Sequence, residues 1–61
     1  MKRKDIMKKL KAAGCAFVEG GNHTVVFSAD GRRLSSVPRH AEINEHTTDA
    51  IARQTGVKLR G

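Results

Sequence analysis

His23 follows a Gly20-Gly21-Asn22 run and opens an apolar stretch, Thr24-Val25-Val26-Phe27. With an ordinary pKa of about 6.5, an imidazole is the side chain best suited to exchange protons near neutral pH. Glycines permit unusual backbone dihedrals and close ligand approach, and a β-branched, aromatic run favours a pleated strand that would hold the ring in place. In a strongly basic chain, a histidine set in this way is suited to moving a proton beside a phosphate. The same octet also reads as an ordinary turn and strand bearing a surface histidine, and the remaining sequence has to decide between the two.

Twelve Lys and Arg against six Asp and Glu give a net charge of +6, and the isoelectric point is about 10.3. Such a balance points to phosphate polyanions or an acidic protein as partner. Lys2, Arg3, Lys4, Lys8, Lys9 and Lys11 crowd the first eleven positions, and Arg32, Arg33 and Arg39 form a second cluster, so the two groups flank the histidine strand. A lysine-rich helix face is equally the pattern of a solvated surface. His40, just after Pro38-Arg39, either caps a loop by hydrogen bonding or touches a ligand or partner, while His46, amid Glu45 and Asp49, reads as solvent-facing. A three-histidine metal site would need His23, His40 and His46 within about 2.1 Å of one ion. Their spacing matches no local ligand motif, so neither metal nor cofactor is expected.

The single cysteine, Cys15, excludes an intrachain disulfide and a thiolate zinc site, and its apolar neighbours suit an inert core thiol in a cytoplasmic protein. Lys8 and Lys9 interrupt the only apolar run near the basic N-terminus, which removes a targeting signal, and no stretch is long enough for a membrane span.

The elements that must position these groups follow from periodicity. Ile6, Leu10 and Ala13 recur at helical spacing and Gly14 stops the run, which predicts a helix over 5–13. Strands are predicted over 15–19, 23–28 and 32–37, joined by the Gly20-Gly21-Asn22 and Ala29-Asp30-Gly31 turns, with Pro38 ending the sheet. A second helix is predicted over 46–55, closed by Gly56. The expectation is one α+β domain over residues 1–61, a three-stranded antiparallel sheet with two helices on one face. Its core would be drawn from Ile6, Met7, Leu10, Phe17, Val18, Val25, Phe27, Leu34, Val37, Ile43, Ile51, Val57 and Leu59. With Val25 and Phe27 facing the helices, alternation would put His23 on that side at the sheet rim, and Thr24, Val26 and Ser28 on the other. Burial is inefficient at this length, so a partner or oligomerisation would add stability.

In this order of elements the chain resembles the HicA-type toxins, small mRNA interferases of toxin–antitoxin modules. The resemblance rests on the basic first helix ending at Gly14, on Gly21-Asn22-His23 and the strand after it, on Val37-Pro38-Arg39-His40, on Glu42-Ile43, and on Ile51-Ala52-Arg53-Gln54-Thr55-Gly56-Val57. One departure is near Thr48, where family members usually carry a larger aliphatic. The resemblance implies a double-stranded-RNA-binding-like fold, cleavage of mRNA with His23 as the catalytic residue, and silencing by a HicB-type antitoxin in a hetero-oligomer.

RNA carries its own nucleophile, so the chemistry asks for one proton acceptor and positive charge. A neutral His23 would take the proton of a ribose 2′-hydroxyl, which would attack the adjacent phosphorus and leave a 2′,3′-cyclic phosphate. Lys8, Lys9, Arg32, Arg33, Arg39 and His40 are the candidate RNA-binding residues. The charge and the implied fold would equally serve a noncatalytic RNA-binding module or a basic protein-interaction subunit. The first of these lacks stacking aromatics, since Phe17 and Phe27 are the only ones present.

Overall fold

A computed structural model of the chain describes residues 1–60. Two helices and three strands follow the order α1 (Arg3–Ala12), β1 (Ala16–Glu19), β2 (His23–Phe27), β3 (Arg33–Pro38), α2 (Glu45–Thr55). The strands form one antiparallel sheet in the order β1-β2-β3, and the helices cover one face of it, as expected. Among the described residues, no helix is long and apolar enough to cross a membrane.

Lys, Arg, Met, Leu and Ala, all of high helix propensity, make up most of α1, and it buries Ile6 and Leu10. It begins two residues before the predicted start because the Arg3 amide donates to the Ala41 carbonyl at 2.9 Å and the Ile43 amide to the Met1 carbonyl at 2.8 Å. These bonds tie the entry of α1 to the loop after β3, a contact that no local pattern announces. Gly14 ends the helix in the left-handed region at φ 92°, where a side chain would be strained.

The sheet turns the opposite way from the expected one. Thr24 and Val26 are fully buried against the helices, paired with Val37 and Ser35 respectively, while Val25 and Phe27 face away. His23 therefore opens the uncovered face, not the helix side. The core is Ile6, Leu10, Val26, Val37, Ile43, Ile51 and Leu59, with Met7, Phe17 and Val57 among the partly buried side chains packed on it. Val18, Val25, Phe27 and Leu34 are not part of that cluster, and Val18 is 55% exposed. A strand flips all its side chains with a one-residue change of face, and in Thr24-Val25-Val26-Phe27 both alternating sets are β-branched or aromatic. The structure buries the set whose one polar member, Thr24, has internal hydrogen-bond partners.

Pro38 ends β3 from inside the strand, paired with His23. An edge strand tolerates proline because no ladder bond is needed on its outer side. A bulge shifts the register between Val26 and Phe27, so that Val26 opposes Ser35 and Phe27 opposes Arg33. In the β2–β3 turn, hydrogen bonds from the Ser28 hydroxyl and the Arg32 amide, with the Arg32 charge, hold the Asp30 carboxyl below the usual carboxylate range.

Asn44 caps α2, its Oδ1 accepting from the Thr47 amide at 2.8 Å. The cap moves the helix start to Glu45. Thr48 is fully buried, with its hydroxyl donating to the Asn44 carbonyl at 2.8 Å, so a threonine fits where a larger aliphatic was expected. Gly56 closes α2 at φ 74°, and Arg60 bonds Asp49 and Glu45 across the helix, which seats Leu59 in the core.

Asn44→Ala removes the side-chain acceptor that caps the α2 N-terminus. It should destabilise the domain by about 1 kcal/mol, which for so small a domain is a fall of roughly 4–8 °C in Tm; thermal denaturation followed by circular dichroism checks this.

Candidate active site

His23 is solvent-exposed at the first position of β2. It lines a cleft of about 380 Å³ with Gly21, Asn22, Pro38, Arg39 and His40. Two features place it there. Its backbone pairs with Pro38 across the sheet rim, and its carbonyl accepts from the Gly20 amide at 2.9 Å, closing the β1–β2 turn. Neither Gly20 nor Gly21 takes a positive φ, so unusual dihedrals are not what this turn requires. Close approach is: a Cβ built on Gly20 would lie 3.0 Å from the His23 carbonyl oxygen, whereas one on Gly21 would meet nothing within 4 Å.

A chain of polar contacts surrounds this turn. The Arg3 guanidinium donates through Nε to the Pro38 carbonyl at 3.0 Å and through Nη2 to the Thr24 hydroxyl. That hydroxyl donates to Glu19 Oε1 at 2.8 Å. The same carboxylate oxygen accepts from Arg39 Nη2 at 2.8 Å, and Arg39 also reaches the Gly20 carbonyl at 2.6 Å. Every buried side-chain nitrogen and oxygen among the described residues has a partner, as the cost of an unpaired buried polar group requires.

The family model of the HicA toxin of bacterial toxin–antitoxin matches residues 3–57. The chain belongs to the HicA toxin family. The match takes in all five secondary-structure elements. Neither the curated proteins nor the solved structures contain a match to it.

Within this HicA chain the structure brings His23, Arg39 and His40 to one cleft and leaves the other candidates outside it. Arg33 pairs with Phe27, four strand positions from His23, which is about 13 Å at roughly 3.3 Å per residue. Arg32 lies in the adjoining turn. Lys8 and Lys9 are exposed on α1, in the layer behind the sheet. His46 is exposed in the first turn of α2 and lines a separate cavity with Glu42, Glu45 and Asp49. Among the described residues, no group of three His, Cys, Asp or Glu could hold a metal ion. Sequence reasoning counted Arg3 only as part of a basic cluster and gave Glu19 and Thr24 no role. Their partners lie up to 35 positions away, so only the assembled fold joins them.

The two turn glycines should respond differently to a methyl group. Gly20→Ala forces the His23 carbonyl away and should cost about 1–3 kcal/mol, the scale of local backbone strain. Gly21→Ala should be neutral or slightly stabilising, because it restricts the unfolded chain. Urea denaturation of both variants separates them.

Proposed function

We propose that this HicA chain is a metal-independent endoribonuclease acting on mRNA in the cytoplasm, with His23 as general base. The observation that carries the reading is an exposed imidazole at the mouth of a cleft whose other side chains include Arg39 and His40, in a chain of this family. RNA laid across the sheet rim would place a ribose 2′-hydroxyl against His23. The imidazole takes its proton, the oxygen attacks the adjacent phosphorus, and the bond to the 5′ oxygen breaks, giving a 2′,3′-cyclic phosphate. In this reading His40, which lines the same cleft, would return a proton to the leaving 5′ oxygen. Arg39 brings positive charge to the phosphate as negative charge builds on its oxygens. Lys8, Lys9, Arg32 and Arg33, distributed around the domain, draw the polyanion in and hold flanking phosphates.

The partner in this reading is a HicB-type antitoxin that covers the cleft. Beside His23 on the same sheet face lie Val18, Val25 and Phe27, uncovered by the helices. An inhibitor with carboxylates for the basic rim and apolar side chains for this face would gain both a fast encounter and a dry interface centre. Because it would bind only the folded toxin, it would also stabilise a small domain.

His23→Ala should slow RNA cleavage by about 10²- to 10⁴-fold, the usual worth of a general base, with circular dichroism and RNA affinity unchanged; wild-type rates from the folded variant would rule the residue out. EDTA should leave the wild-type rate intact, and loss of cleavage restored by added magnesium would contradict the mechanism. His40 is tested by leaving group. His40→Ala should slow cleavage of RNA yet spare a para-nitrophenyl ester of a nucleoside 3′-phosphate, whose leaving group needs no proton, while His23→Ala should slow both.

A further inference from the structure

A general base works only within about 2.6–3.2 Å of the proton that it takes. His23 is a poor candidate for such precision on strand geometry alone, since it sits at the exposed end of a sheet beside a glycine turn. Among the described residues its side chain has no hydrogen-bond partner to hold it. What fixes it must act through the backbone on either side.

We infer that Arg3, Thr24, Glu19 and Arg39 form a positioning device for His23. Each contact lands on a segment next to the histidine. Glu19 precedes the turn and Gly20 opens it, Thr24 follows His23 directly, and Pro38 is its partner across the strands. The hydrogen bonds run one way through the middle. The Thr24 hydroxyl has a single proton, which it gives to Glu19 while accepting from Arg3. Glu19 Oε1 accepts from the Thr24 hydroxyl, which Arg3 feeds, and directly from the Arg39 guanidinium, and each bond in the chain polarises the next. The device thus links α1, all three strands and the loop after β3 at the His23 end of the sheet. Arg39, exposed enough to meet a phosphate, is already committed through Nη2 to Glu19 and to the Gly20 carbonyl. It therefore shapes the cleft as well as charging it.

This deepens the ribonuclease reading and rests on it, and the sign of one substitution sets it apart from simple charge. Glu19 is an anion in a basic protein. If it were only surface charge, Glu19→Ala would strengthen RNA binding, lower KM and leave kcat alone. As a positioning residue, its loss should lower kcat roughly tenfold or more without raising KM. Thr24→Val, nearly isosteric, breaks the same chain from inside and should act in the same direction. The double variant should be no worse than the worse single one, because both remove one coupled unit.

A readout independent of activity is the hydrogen exchange of the Gly20 amide, whose bond to the His23 carbonyl closes the turn. Both variants should lower its protection roughly tenfold while the Val26 amide, in mid-strand, stays protected. Wild-type protection at Gly20 in Glu19→Ala, or strictly additive kinetic effects in the double variant, would overturn the inference. Should Thr24→Val fail to fold, loss of Val26 protection will show it, and the exposed Glu19→Ala decides alone. If the wild-type chain cleaves no RNA but Gly20 protection falls as expected, the device stands and the ribonuclease reading fails.

Discussion

The hydroxyl of Thr24 is fully buried, and a buried hydroxyl without a partner would cost about 1–3 kcal/mol. Arg3 and Glu19 supply the partners, one from the helix layer and one from the neighbouring strand. That satisfaction allows Thr24 and Val26, instead of Val25 and Phe27, to face the helices. Every other feature of the site follows from this choice. With Thr24 inward, His23 points outward at the rim, where it shares a cleft with Arg39 and His40.

The same choice leaves apolar surface without cover. Val18 and Val25 are cross-strand neighbours on the open face, and Phe27 lies beyond them. In a domain of this size the core is a single layer of seven buried apolar side chains, among them Ile6, Leu10 and Ile51 from the helices and Val26 and Val37 from the sheet. Around it, polar bonds do much of the joining. Ser35 donates to Gln54 at 2.6 Å between β3 and α2, and Arg60 bridges Asp49 and Glu45. In the proposed reading, an antitoxin that covered this open apolar face beside His23 would stabilise the toxin and silence it by one act.

Much of the fold was legible because its signals are local. Ile6 and Leu10 mark one helical face, Gly14 and Gly56 stop both helices, and three short runs separated by turn residues give the sheet; the family match over residues 3–57 agrees with the motifs that suggested it. The facing of β2 was not legible, because Thr24-Val25-Val26-Phe27 offers two nearly equivalent alternating sets. What decides between them is Arg3, far away in sequence. The cap at Asn44 and the pairing of Pro38 were missed for a related reason: each depends on where the chain comes to lie, not on its neighbours. Of the candidate site, the sequence singled out His23 from its glycines and the resemblance, and the Pro38-Arg39-His40 motif keeps Arg39 and His40 together; that these share a cleft with His23, while Lys8, Lys9, Arg32 and Arg33 lie outside it, depends on the pairing of β2 with β3. The contacts that hold the turn could not be read, since Glu19 and Thr24 look like ordinary strand residues.

The account rests on the claim that His23 directs a 2′-hydroxyl at phosphorus. Mass-spectrometric analysis of the ends left on RNA by the purified chain tests this most directly. The mechanism predicts 2′,3′-cyclic phosphates, or the monophosphates from their hydrolysis, facing 5′-hydroxyl ends. Fragments with 3′-hydroxyl and 5′-phosphate ends would mean that water, not the ribose, attacks phosphorus, and would contradict it.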